Sequence, residues 1–304
     1  MTERRETRFV LIGHPVSHSL SPAIHSAAYE ELGLVEHRYD AVDCPAPADV
    51  LSVLDSIRRG DVAGANVTVP WKRLVLERAD QVHPSADATG AANVVCPVGV
   101  GAELRLVAHN TDVPALAEEL RLGRPGALRA TVIGSGGAAL AAVVACKSIG
   151  VERVAVVARR FRGEPSSWPG ADALAERGGT PVAWPDDAES AAVLHDALVT
   201  SDILVQSTSD GMSGASDGTA VRDLVPFAEL DRAAFLYDVV YNPDVTPFIA
   251  AARANGLRAT SGLGMLVGQA ALAIELWLGK RPDTERLRAA AEKALAAKAT
   301  QKKG

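Results

Sequence analysis

The chain has 304 residues, 48% hydrophobic and 22% charged, an ordinary globular balance with length enough for two domains. A net charge of −6 argues against a general affinity for nucleic acid, which needs a basic surface, and no uninterrupted apolar run reaches membrane-spanning length. Cys44, Cys96 and Cys146 show neither CxxC spacing nor a metal-ligand pattern with histidine, so no metal is expected. They read as buried free thiols in a reducing compartment. With a polar start that lacks a secretory h-region, this points to the cytoplasm.

Short β-branched runs alternate with Ala/Leu-rich stretches, the pattern of an α/β protein with a mostly parallel sheet. Strands are expected near 9–12, 37–42, 62–67, 92–97 and 104–108, with helices near 22–33 and 47–59 and a shorter one after Pro70. Ser21 followed by Pro22 reads as a hydroxyl N-cap with proline at the first helical position. Arg124-Pro125-Gly126 is a breaker, after which strand 130–133, helix 137–149 and strand 151–157 form a βαβ unit. Further strands fall at 203–206 and 235–239, and helices at 246–255 and 262–278, with a helical tail from Arg281.

The βαβ turn reads Gly134-Ser135-Gly136-Gly137-Ala138-Ala139, a G-x-G-x-x-A loop directly after a strand and before a helix. Gly134 allows the tight turn, Gly136 lets a pyrophosphate approach the backbone, and the helix start at Gly137 and Ala138 supplies amides to phosphate. Such a loop alone is weak, but the βαβ frame favours a dinucleotide. An NAD site places Asp or Glu at the tip of the next strand; here the tip is Ala158-Arg159-Arg160, with Arg162 close behind. A guanidinium fork suits a 2′-phosphate, so NADP is the expected cofactor.

Two segments in the first third resist explanation as scaffold. In His18-Ser19-Leu20-Ser21-Pro22, Ser19 and Ser21 are spaced to point the same way from an extended segment. In Asn66-Val67-Thr68-Val69-Pro70-Trp71-Lys72, alternation puts Asn66 and Thr68 on one face, with Lys72 just past a proline. Lys72 and Lys147 are the only lysines before residue 280. These segments, with Asn110-Thr111-Asp112, the glycine loop, Tyr237-Asp238-Val239-Val240-Tyr241-Asn242-Pro243 and the run from Gly262 to Leu272, resemble in this order the shikimate dehydrogenase family, which includes the quinate/shikimate dehydrogenases. The resemblance runs from about residue 8 to residue 280.

The resemblance implies an α/β fold of two domains. The N-terminal α/β substrate domain would span 1–111 and be completed by helices in 261–304, and a Rossmann-like doubly wound NADP-binding domain would span 112–260. It makes Lys72 the catalytic lysine and Asp112 its partner. Ser19 and Ser21 would bind the substrate carboxylate; Asn66, Thr68, Asn93, Tyr241 and Gln269 would complete the substrate contacts. Gly264 and Met265 would lie at the nicotinamide end. The implied reaction is NADP-dependent reversible reduction of 3-dehydroshikimate to shikimate, by a monomer or homodimer. Reducing a ketone by hydride requires a proton for the developing alkoxide, which a lysine can supply. An aspartate beside a lysine favours the ammonium form, so Asp112 reads mainly as orienting Lys72 and bonding a substrate hydroxyl. Departures at Ala92, Val94, Val113, Ala158 and Gln206 remove no reacting group, but leave room for a paralogue with altered substrate, such as quinate or an aminated analogue. An NAD-dependent quinate/shikimate dehydrogenase is disfavoured by the missing acid at the strand tip, and a non-catalytic ligand-binding relative by the presence of Lys72 and Asp112.

Overall fold

The computed structural model describes residues 6–301. In chain order the elements are β1 (Thr7–Gly13), α1 (Ser21–Glu31), β2 (His37–Asp43), α2 (Pro47–Arg58), β3 (Gly64–Val67), α3 (Lys72–Arg78), β4 (Gln81–Val82), α4 (Pro84–Asp87), β5 (Val94–Val98), β6 (Arg105–His109) and α5 (Asp112–Gly123). There follow β7 (Arg129–Ile133), α6 (Gly137–Ser148), β8 (Arg153–Val157), α7 (Ala171–Ala175), β9 (Gly179–Val182), α8 (Ala188–Val199), β10 (Ile203–Gln206), α9 (Thr219–Leu224), β11 (Phe235–Asp238), α10 (Pro247–Ala254), β12 (Arg258–Ser261), α11 (Leu263–Leu278) and α12 (Thr284–Gln301).

Two compact units result: Met1–Asp112 with Leu266–Gly304, and Val113–Met265. The sequence places the cuts at 112 and 261, and each differs for a local reason. Asp112 goes with the first unit because its carboxylate bonds Lys72 and Asn93. The first turn of α11 goes with the second because Met265 packs on that unit's core and its amide donates to the Tyr237 hydroxyl at 3.2 Å.

The first unit's sheet has strand order β2-β1-β3-β5-β6-β4. β1 is parallel to β2 and β3, whereas β5 runs antiparallel to both β3 and β6. That reversal sets the site: the start of β5, at Asn93, and the end of β6, leading to Asp112, arrive at the same end of the sheet as the ends of β1 and β3. The core under it is Val10, Ile12, Ala65, Val67, Val95 and Leu106, small and β-branched as the aromatic-poor composition requires. α11 covers the other face, where Trp277 stacks on Phe9 at 4.6 Å and donates to the Val95 carbonyl at 3.1 Å. Gly64 has no side chain because a Cβ there would come 2.6 Å from Trp277 Nε1.

The second unit's sheet has order β12-β11-β10-β7-β8-β9, all pairs parallel. This is a Rossmann-type doubly wound order, with its topological switch between β7 and β10. The strands are buried on both faces, hence the near-continuous apolar runs of β7, β8 and β10. Asp238, at the end of β11, is fully buried; it accepts from Thr246 Oγ1 at 2.6 Å and from the Val240 amide at 3.0 Å. Burial pushes its carboxyl up to about 7, with nearby Asp210 adding to the rise. Among the described residues no helix is long and apolar enough to cross a membrane.

Candidate active site

In the first unit, β3 ends at Val67 and the chain turns through Thr68 to Trp71, whose indole donates to the Cys44 carbonyl at 2.7 Å. α3 then begins at Lys72, and the Ala92 amide donates to the Lys72 carbonyl at 3.0 Å. Lys72 is thus held by backbone on the segment that carries Asn93. Its Nζ lies 2.6 Å from Asp112 Oδ2, with the two side chains 29% and 13% exposed. The pair is sheltered enough to strengthen the bond, yet open enough to meet a ligand. Asp112 is the first residue of α5, where a carboxylate is favoured by the helix dipole, and its amide donates to Asn110 Oδ1 at 3.0 Å.

Asn93 locks the other carboxylate oxygen. Its Nδ2 donates to Asp112 Oδ1 at 2.9 Å and to Thr111 Oγ1 at 3.0 Å, and its Oδ1 accepts from the Thr111 amide at 2.7 Å. Asn66 is buried; its Oδ1 accepts from the Tyr39 hydroxyl at 2.6 Å and its Nδ2 donates to the Asn93 carbonyl at 3.3 Å. Tyr39, Asn66, Asn93, Asp112 and Lys72 therefore form one continuous bonded chain. Thr68 sits over Gly13, where a Cβ would overlap its methyl, and its amide donates to the Ile12 carbonyl at 2.8 Å.

The serine segment is not extended. Leu20 has helical dihedrals and is the residue before α1, so Ser21 is already inside the helix and Pro22 is its second residue. The cap-like bond is made instead by Ser19, whose Oγ accepts from the Ser21 amide at 3.1 Å. Lys298 of α12 donates to the Ser19 carbonyl at 3.0 Å, and desolvation holds its ammonium below the usual lysine range. Gln269 is buried, but its Nε2 donates to the Leu266 carbonyl of its own helix at 2.9 Å. The interruption of the apolar face that marks it in the sequence is thus partly satisfied within α11.

In the second unit a cavity of about 460 Å³ opens at the switch point, lined by Gly134, Ser135, Gly136, Arg159, Thr208 and Asp210 among others. Gly134 has φ +129° and a Cβ there would lie 2.5 Å from Ser207 Oγ, so the turn itself requires glycine. At Gly136 and Gly137 a Cβ would meet no protein atom within 4 Å. Packing does not explain those glycines, and the backbone there is open to a ligand. α6 starts at Gly137 without a side-chain cap, leaving its first amides for an anion, and Ala138 stands half-buried beside them.

The three arginines diverge. Arg160 Nε donates to Ser135 Oγ at 2.6 Å, and the same guanidinium bonds the Ser135 carbonyl, so Arg160 braces the glycine loop rather than standing free for a phosphate. Arg162 pairs with Asp186 at 2.6 Å and lies over Trp184. Arg159 is exposed, and among the described residues its guanidinium meets no carboxylate. These features fit a phosphorylated dinucleotide. Tyr241, Gly264 and Met265 also belong to this unit. Gly264 has a packing reason, since a Cβ would overlap the Glu119 carboxylate, and burial raises the Tyr241 phenol.

Sequence reasoning missed Tyr39, and it gave Asn110 and Thr111 no role beyond their place in the Asn110-Thr111-Asp112 motif. A buried tyrosine hydroxyl usually finds a partner, and that rule applied to β2 was the available signal for Tyr39. His109 stacks on His83 at 4.5 Å, and burial lowers its pKa. Among the described residues no group of three His, Cys, Asp or Glu is placed to hold a metal.

A parallel sheet with an anion-ready glycine loop, in a chain that also carries a bonded lysine–aspartate pair, defines a nicotinamide-dependent dehydrogenase. The chain belongs to the shikimate dehydrogenase family. A model described as the shikimate dehydrogenase substrate binding domain matches residues 11–95, and one described as the shikimate 5′-dehydrogenase C-terminal domain matches residues 262–292. Shikimate dehydrogenase (NADP(+)) of Thermus thermophilus is 38% identical over 289 residues, covering 95% of this chain and 98% of that one. The crystal structure of shikimate 5-dehydrogenase from the same species, in complex with NADP(H) and shikimate, has a TM-score of 0.77 at 35% identity, over 95% of this chain and 99% of that one. Quinate dehydrogenase from Corynebacterium glutamicum in complex with NAD has a TM-score of 0.79 at 28% identity, over 95% and 100%. The fold is therefore shared across both substrates and both cofactors, and the choice between them lies in side chains.

Proposed function

We propose that this enzyme reversibly reduces 3-dehydroshikimate to shikimate with NADP. The observation that carries the reading is the Lys72–Asp112 pair, held at 2.6 Å and fixed on its far side by Asn93. When bound, NADP supplies or takes up the hydride at C4 of its nicotinamide. Lys72 then gives a proton to the oxygen that becomes the alkoxide, and in the oxidative direction removes it. Asp112 aims the ammonium and offers a lone pair to a neighbouring substrate hydroxyl. Ser19, Ser21, Asn66, Thr68, Asn93, Tyr241 and Gln269 hold the carboxylate and hydroxyls. Gly134, Gly136, Gly137 and Ala138 would cradle the pyrophosphate, Arg159 the 2′-phosphate, and Gly264 and Met265 the nicotinamide end.

Arg159 with no acid at the strand tip favours NADP over NAD. The test is a matrix of NADP+ or NAD+ against shikimate or quinate on purified protein. Turnover fastest with shikimate and NADP+ is expected; quinate with NAD+ as the best pair would overturn the reading, as would no turnover in all four.

A further inference from the structure

We propose that Tyr39 is a positioning residue that fixes the side-chain amide of Asn66 with its NH2 group toward the substrate, so that this contact only donates, to a substrate oxygen. The proposal rests on the reading of Asn66 as a substrate ligand in shikimate oxidoreduction.

An asparagine amide can sit either way round, and only its neighbours decide which. Here two neighbours agree. On one side the Asn93 main-chain carbonyl, an acceptor only, lies 3.3 Å from Asn66 Nδ2. On the other, the Tyr39 hydroxyl lies 2.6 Å from Oδ1 and can donate to it. Flipping the amide would set carbonyl oxygen against carbonyl oxygen at Asn93. One Nδ2 hydrogen is spent on Asn93, which leaves one N–H for a ligand, and such a donor serves a carboxylate or hydroxyl oxygen.

The phenol itself is held still. Tyr39 is 6% exposed, its backbone is paired with Phe9 across β1 and β2, and the His25 ring stacks on it at 3.7 Å with 8° between planes. Burial, and then the neighbouring Tyr29, raise its pKa well above the usual phenol range, so it remains a protonated donor. Tyr39 is thereby placed behind the substrate contact, one bond removed from it through Asn66, and it also meets the Ser21 side chain.

Steady-state kinetics on wild type, Tyr39→Phe, Asn66→Ala and the double variant, with shikimate and NADP+, test this. Phenylalanine keeps the stack and the volume while removing the donor. Loss of one buried hydrogen bond to a substrate-binding amide is expected to raise the KM for shikimate about tenfold, with kcat and the KM for NADP+ nearly unchanged. In the Asn66→Ala background the same change is expected to cost much less than it does alone, because the route through Asn66 is gone and only the Ser21 contact remains. A Tyr39→Phe enzyme with wild-type KM for shikimate overturns the proposal, and so does a full additional loss in the double variant, which marks a merely structural role. Should Tyr39→Phe fail to fold, site-specific 3-fluorotyrosine at position 39 preserves shape and strengthens the donor; an unchanged KM for shikimate then overturns it. A wild-type enzyme inactive on shikimate defeats the functional reading and this proposal together, whereas active wild type with an unaffected variant defeats the proposal alone.

Discussion

The two units treat polar groups differently. In the first, the side chains proposed to meet substrate are bonded in one chain, from Tyr39 through Asn66 and Asn93 to Asp112 and Lys72. In the second, the cavity wall joins backbone at Gly134 and Gly136 to separate bonded side chains, Arg160 on Ser135 and Asp210 on the Val221 amide, and to the Arg159 guanidinium, which meets no carboxylate among the described residues. A small polyol acid offers few handles, each of which must be met at a set angle, so its site is preorganised by bonds within the protein. A dinucleotide carries several formal charges over a long frame. Helix amides and a cation beside a braced loop serve that longer, charged frame.

The sharpest way to break this contrast is at the pair itself. Lys72→Ala is expected to lower kcat about a thousandfold while shifting the KM for shikimate only a few-fold, the loss typical of removing an acid–base group; near-normal kcat would remove Lys72 from the chemistry. In the second unit, Arg159→Ala should raise the KM for NADP+ by about 10- to 100-fold and leave the KM for NAD+ alone, since only the former offers a 2′-phosphate. Arg160→Ala should do less, because that guanidinium is spent on Ser135. Equal effects of the two would show that the loop brace and the phosphate contact are not separate.

The units should also answer pH with opposite signs. Burial pulls His25 down to about 3, so its neutral ring contributes fully above pH about 6.5 and that contribution drains away as pH falls toward 3. Asp238, raised to about 7, contributes fully below pH about 4 and loses that contribution as pH rises through 7. Going from pH 7 to pH 5 should therefore loosen the first unit and tighten the second, each by about 2 kcal/mol. Peptide-resolved hydrogen exchange, corrected for intrinsic rates, reads the two separately. His25→Phe should remove the larger part of the first change, leaving the smaller parts of His109 and His37 in the same direction, and Asp238→Asn should cancel the second; a common direction in both units would contradict the assignment. The smallest expected effect is Gly64→Ala, where overpacking against Trp277 should cost about 1–2 kcal/mol by denaturant melt.

Much of this was legible in the residues. β1, β7, β8 and β10 announce themselves as apolar runs, and the glycine loop sits where a strand–helix turn demands it. Weaker elements were not. β4 is two residues long, β9 contains Pro181, and β12 reads Arg-Ala-Thr-Ser; all three lean on tertiary pairing rather than on pattern. The reversal of β5 is likewise a property of its partners, invisible in its own five residues. At the candidate site, the family resemblance named Lys72, Asp112 and the serines, and the fold brings the first two to 2.6 Å. Spacing could not tell that Ser21 lies inside α1, that Arg160 turns back onto Ser135, or that Gln269 bonds its own helix. Those outcomes depend on which hydrogen-bond partner is nearest once the chain is folded.

The first unit is discontinuous, closed by α11 and α12 after the whole of the second has been made. Synthesis therefore runs against the architecture. When β1 leaves the ribosome, the aromatic ring that will cover Phe9 belongs to Trp277 and does not yet exist. The nucleotide unit, contiguous from Val113 to Met265, can settle first, as an insert inside a half-built neighbour. Translational stalling just short of Trp277 should yield nascent chains with a protease-resistant middle and a cleavable front.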